Sequence, residues 1–162
     1  MKKLIFIFSL VVCCVFAAQA QSEYKSAIGL RLGYPLSISY KQFISDPGAI
    51  EVFAGFRNYS GYGWFNVGGL YEHHSAITSV EGLKWYVGGG ANLFFWNFDK
   101  GFNNDGAANT SIGLMGALGL DYKFANAPFN LSVDWLPTLF VNGYDNGFGP
   151  GYGALSARYT LN

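Results

Sequence analysis

The stretch from Gly82 to Phe98 limits what this chain can fold into more than any other. Leu83, Trp85, Val87, Gly89, Ala91, Leu93 and Phe95 share one parity, and Lys84, Tyr86, Gly88, Gly90, Asn92, Phe94 and Trp96 the other. Alternation with a period of two puts these sets on opposite faces of a strand. One face is greasy, and the other mixes a charge, an amide, small residues and aromatics. Strands of soluble domains run about 5–6 residues. A strand crossing a bilayer at a tilt needs about 9–11. This one is longer still, so the expectation is a membrane-crossing strand.

The same alternation recurs in seven other segments. They are Tyr24–Tyr34, Leu36–Ile44, Ala49–Arg57, Trp64–His73, Asn109–Lys123, Phe129–Phe140 and Gly151–Leu161. Pro137 cannot donate to a ladder, so a bulge or an early strand end is expected there. Ser45-Asp46-Pro47-Gly48 is a turn signal. Eight segments joined as consecutive hairpins form an even antiparallel meander. Such a meander can close and remove its own edges. The predicted fold is all-β: an eight-stranded antiparallel up-and-down transmembrane β-barrel over residues 21–162. With both chain ends on the inner side, the inner connections are 45–48, 74–81 and 124–128. The outer ones are Pro35, 58–63, 99–108 and 141–150. Most outer loops are longer and richer in Gly, Asn and Tyr, an asymmetry shared with outer-membrane barrels.

Residues 1–20 read as a cleavable signal peptide. Lys2 and Lys3 form a charged start, Leu4 to Phe16 an apolar run, and Ala18-Gln19-Ala20 a small-x-small cleavage site. The run is too short for an anchor helix. Val12 before Cys13 argues against lipoprotein processing. Both cysteines, Cys13 and Cys14, fall inside the signal, which leaves no disulfide or thiol site in the exported chain. Without Lys2 and Lys3, eight basic residues face ten acidic ones, a formal charge of −2. Nucleic acid is therefore not an expected partner. Charged residues are only 12% of the chain, against about 25% in soluble domains.

Two features decide which face points out. The more polar parity carries Gly29, Gly33, Gly55, Gly68, Gly88, Gly90, Gly113 and Gly119. The interior of an eight-stranded barrel is just wide enough for side chains, so small residues belong inside it. Charges on that parity also alternate in sign at matched depth: Lys41 with Glu51, Glu72 with Lys84, Asp134 with Arg158, and Asp121 within reach of Lys84. The expectation is an ion-pair network filling the inner half of the lumen. The apolar parity then meets lipid, and left in water it would cost tens of kcal/mol. Aromatics form two girdles, with Trp85, Tyr122, Phe129 and Tyr159 at the inner level and Tyr34, Phe56, Phe65 and Phe95 at the outer. A soluble ligand-binding barrel would need the opposite assignment.

With these features together, the chain resembles the small eight-stranded outer-membrane barrels of Gram-negative bacteria, of the OmpA transmembrane-domain and OmpX type. The resemblance covers the whole exported chain and rests on architecture, not on a motif. It implies a porin-like fold in the outer membrane, contact with lipid and lipopolysaccharide, and handling by the barrel-assembly machinery. Asn162 departs from the aromatic last residue common in such barrels, and Tyr159 and Leu161 stand in for it. No peptidoglycan-binding domain is read, so a tethering role is not implied.

No catalytic, cofactor or metal site is expected. His73, His74 and Ser75 are the strongest enzymatic candidates, because similar barrels include lipid A deacylases and acyltransferases. Adjacent histidines point to opposite sides of a strand, and no further group completes a triad. Gly147 to Gly151 lacks the lysine and the strand-to-helix setting of a phosphate loop; it reads as a surface loop. Tyr59, Tyr62, Trp64, Phe102, Tyr144 and Phe148 cluster on outer loops as possible contacts for a surface ligand that the sequence does not identify. The functional expectation is a non-enzymatic barrel with an envelope or loop-binding role. The alternatives are a lipid-modifying enzyme and a narrow channel.

Overall fold

A computed structural model describes residues 24–99, 109–143, 147–149 and 151–161. The signal segment 1–20, Phe102 and Tyr144 lie outside these. Ten strands form in chain order: β1 (Ser26–Tyr34), β2 (Leu36–Phe43), β3 (Gly48–Asn58), β4 (Tyr62–Ala76), β5 (Leu83–Phe98), β6 (Thr110–Lys123), β7 (Phe129–Trp135), β8 (Thr138–Phe140), β9 (Gly147–Gly149) and β10 (Gly153–Leu161). They build a closed antiparallel up-and-down barrel of eight staves. Each of β1 to β6 pairs with the next, and β6 pairs with β7 and β8. β7 pairs with β10, and β10 returns to β1 from Ser26↔Leu161 to Tyr34↔Gly153. The first and last staves are thus sealed, and no sheet edge remains there to recruit another chain.

The seventh stave is interrupted at Leu136-Pro137, as the missing proline donor requires. It does not bulge. Trp135 faces Leu118 and Thr138 faces Met115, so the register on β6 is unchanged across the gap. Pro137 still accepts a bond from Gly116 N at 2.9 Å. The stretch from Gly147 is not a free loop. Gly147–Gly149 forms β9, pairs with β8 and extends the eighth stave beyond Gly153.

Call the end where β1 begins and β10 finishes the inner end. At its β2–β3 turn, Ile44 N and Ser45 N both donate to Gly48 O, at 3.0 and 3.2 Å. The β4–β5 connection is shorter than the sequence suggests, because β4 continues to Ala76. Ile77 N bonds Leu83 O at 2.9 Å, and Gly82 adopts φ +78. A side chain there would be strained, and its Cβ would collide with Lys123 O. At the outer end Tyr59 N donates to Tyr62 O at 2.8 Å. That tight turn takes Tyr62 and Gly63 out of the expected loop, so β4 begins two residues before Trp64.

Parity assigns the two faces. Outward residues such as Ile38 (62% exposed), Leu30 and Leu155 are large and apolar. Inward residues include Arg31, Lys41, Glu51, Glu72 and Arg158, none more than 1% exposed. The inward glycines make room for large neighbours. Gly68 lies beneath the Phe53 ring, and Gly119 beneath Tyr86, where an added Cβ would sit 2.5 Å from Cζ.

Gly119→Val should therefore displace the Tyr86 ring and lower unfolding stability by about 1–3 kcal/mol, the usual cost of overpacking. A urea titration of the folded, fast-migrating gel band measures this. Gly69→Ala, at a position with nothing within 4 Å of the new Cβ, should leave the midpoint nearly unchanged.

Candidate functional site

The lumen divides into an ionic inner half and an aromatic outer half. Every stave contributes one residue to the ionic part: Arg31 from β1, Lys41 from β2, Glu51 from β3, Glu72 from β4, Tyr86 from β5, Asp121 from β6, Asp134 from β7 and Arg158 from β10. All eight are buried.

Glu51 is the hub. Its Oε1 accepts from Arg31 Nη1 at 2.9 Å and from Arg158 Nη2 at 2.6 Å, and its Oε2 lies 3.6 Å from Lys41 Nζ. Arg31 Nη2 reaches across to Asp134 Oδ1 at 2.8 Å. Tyr86 donates its hydroxyl to Asp134 Oδ2 at 2.9 Å. Lys41 Nζ holds Glu72 Oε2 at 2.7 Å and Asp121 Oδ2 at 3.3 Å, and it lies 4.6 Å from the centre of the Tyr86 ring. Arg158 also donates to Ser39 Oγ at 3.0 Å and to Ser132 Oγ at 2.6 Å. Asn130 Nδ2 donates to Asp121 Oδ1 at 2.6 Å.

Of the charges read from sequence, six come together here: Lys41, Glu51, Glu72, Asp121, Asp134 and Arg158. Their pairing is not the one sequence depth suggests. Lys41 and Glu51 are true register partners. Asp134, however, faces Ala154, while Arg158 faces Asn130, four residues away. Glu72 faces Gly88, and Lys84 faces Ala76. The partners are found across the lumen, because small residues leave the space between opposite walls open. Lys84 lies on the inner wall, half-buried, with its ammonium 5.5 Å from the Phe43 ring centre. It is the register partner of Asp121.

Arg31 is the member sequence reasoning missed. It lies mid-strand on the small-residue parity, and that was the available signal. Its register neighbours are Ser37 and Ser156, so a search for acids on adjacent strands finds nothing.

The aromatic half was also missed. Trp64, Phe94, Trp96, Phe140 and Tyr152 form a buried cluster, with Phe53, Leu70 and Met115 between it and the charges. Trp64 and Phe94 meet edge-on at 5.1 Å, and Trp96 Nε1 donates to Ser111 Oγ at 2.8 Å. Trp64, expected at the surface, is 3% exposed and belongs to this plug. Tyr34, expected in the outer girdle, folds over the rim onto Trp64 and Tyr152. Tyr62 is half-buried against Trp96 and stacks on Tyr59. Tyr59 and Phe148 are exposed.

His73 and His74 separate as adjacent strand residues must: His73 is exposed on the outer wall, and His74 is 2% exposed inside. Ser75 is half-buried. His74 Nε2 lies 3.5 Å from Glu72 Oε2. Among the described residues, no group of three or more His, Cys, Asp or Glu is arranged to hold a metal ion. Compared with protein-family models, curated proteins and solved structures, the chain matches none. Its likeness to small outer-membrane barrels is therefore one of architecture.

Glu51→Gln leaves two buried guanidiniums sharing a neutral amide. It should cost about 3–5 kcal/mol, as breaking a buried ion pair does. Adding Arg158→Met should return part of that loss. Urea midpoints of the two single variants and the double variant give the coupling, and simple additivity would show that the pair is not coupled.

Proposed function

We propose that this chain is an integral outer-membrane barrel without enzymatic activity, which stabilises the envelope and presents its outer loops to partners. The observation that carries the reading is the inversion of its faces. The outward surface of the barrel is a continuous band of Ile, Leu, Val and Phe, while every fully buried arginine and lysine faces inward. Monomeric soluble proteins rarely expose apolar patches beyond a few hundred Å²; a bilayer covers such a band. Exposed aromatics at both levels, including Trp85, Phe129 and Tyr159 at the inner level and Phe56, Phe65 and Phe95 at the outer, suit interfacial girdles.

A non-enzymatic role is the simplest reading of a lumen whose buried arginines and lysine are paired with its carboxylates. His73 and His74 lie on opposite sides of the wall and build no triad. A channel role is opposed by the double plug, since an ion would have to displace both the Trp64–Phe94 cluster and the Glu51 network. The exposed Tyr59 and Phe148 are the described outer-end aromatics free to meet a surface ligand or lipopolysaccharide.

Brominated acyl chains test the reading directly. In single-tryptophan variants reconstituted with brominated phospholipid, Trp85 and Trp135, 40% and 48% exposed, should be strongly quenched. Trp64 and Trp96, inside the barrel, should be protected. Equal quenching of all four would overturn the reading, as would recovery of the folded protein from the aqueous fraction. Planar bilayers should show no steady single-channel current.

A further inference from the structure

Glu72 stands on the lumen face of β4 and is fully buried. It differs from the other three carboxylates of the network. Glu51 accepts from two guanidiniums. Asp134 accepts from Arg31, from the Tyr86 hydroxyl and from Ala154 N. Asp121 accepts from Asn130, Lys41 and Tyr24. Neither oxygen of Glu72 accepts a hydrogen bond from the protein. Lys41 Nζ lies 2.7 Å from its Oε2, but that ammonium is shared. It also donates to Asp121 Oδ2 at 3.3 Å and lies 3.6 Å from Glu51 Oε2.

Two carboxyl groups meet at this point. Glu51 and Glu72 come from adjacent strands and lie within hydrogen-bond reach of each other. Glu51 Oε2 lacks a donor too. Two ionised carboxylates cannot bond to one another, because each is an acceptor only. Side by side and buried, they repel, and one of the two is driven to take up a proton. A single proton satisfies both: one carboxyl gains an O–H, and the other supplies the lone pair. The geometry decides which is which. Glu51 Oε1 bridges two guanidiniums, the setting of an ionised group. Among the described residues no guanidinium reaches Glu72, so the proton belongs there.

Around Glu72 stand Lys41 on β2, His74 on β4, Tyr86 on β5, Asp121 on β6 and Tyr24 ahead of β1. Lys41 keeps the charges of Asp121 and Glu51 beside it when Glu72 is neutral. His74 Nε2 lies 3.5 Å from Glu72 Oε2. A neutral carboxyl there gives the imidazole no anion to charge against.

We infer that the folded barrel binds one proton at neutral pH, carried by the Glu72 carboxyl and donated to Glu51 Oε2. The site goes beyond the envelope role proposed above and does not rest on it. Unfolding exposes Glu72 to water, where a glutamate titrates near about 4.3 and gives the proton up. At neutral pH the folded state therefore holds one proton more than the unfolded state. Stability falls as pH rises, and the contribution is gone once Glu72 ionises in the folded barrel as well.

Proton release on urea unfolding at about pH 7.5 reads this directly, with an indicator dye in weakly buffered samples of the protein folded in phospholipid vesicles. The parent should release about one proton more than Glu72→Gln, whose amide carries the donor permanently. Between about pH 7 and 8 the unfolding equilibrium constant of the parent should rise by up to about tenfold relative to that of the variant, the factor that one linked proton gives per pH unit. Equal proton release by the two proteins overturns the proposal. A second measurement needs no variant. The chain has four glutamates, Glu23, Glu51, Glu72 and Glu81. With glutamate labelled at Cδ, NMR of the folded parent at about pH 7.5 should show one protonated carboxyl that moves to the carboxylate position on alkaline titration. All glutamates in the carboxylate position at that pH would overturn the proposal, whether or not Glu72→Gln folds.

Discussion

One carboxylate oxygen holds the lumen together. Glu51 Oε1 receives a guanidinium from β1 and another from β10, the two strands whose pairing closes the ring. Without it Arg31 would keep Asp134, and Arg158 would be left with the neutral groups of Ser39, Asn130 and Ser132. An unpaired buried charge costs several kcal/mol. The remaining contacts follow from that point. Arg31 fixes Asp134, Asp134 fixes the Tyr86 hydroxyl, and Tyr86 lies over Gly119, the one residue type that leaves space for its ring.

The wall of this barrel was largely legible from the sequence. Alternation sorts residues by face, and the face with glycine and charge had to be the narrow one. Strand number, order and closure follow from that reasoning. Details governed by distance across the lumen were not legible. Asp134 and Arg158 look matched along the chain, but the stagger of β7 against β10 separates them by four residues. Arg31 has only serines beside it, so its acids are visible only once the opposite wall is in place. Trp64 was read both as the first residue of a strand and as a surface aromatic; it shares the parity of Asn66 and Glu72, and that parity sends its indole inward.

The two halves of the lumen fill it by different physics. The inner half relies on a few directional, charge-assisted bonds between long side chains from every stave. The outer half relies on ring packing, where Trp64, Phe94, Phe140 and Tyr152 meet edge-on or tilted at 5.1 to 5.9 Å. Glycines serve both. They leave pockets in the wall into which a ring from the neighbouring strand settles, as Phe53 does over Gly68.

Because Arg158 arrives on the last strand, the ionic network is complete only when the chain is complete. A cylinder lacking β10 would leave Glu51 with Arg31 and a more distant ammonium. It would also leave Ser39 and Ser132 without the guanidinium that bridges them. Electrostatics therefore acts as a latch on ring closure, favouring the sealed form over any open ribbon by more than the ladder between β1 and β10 alone would supply.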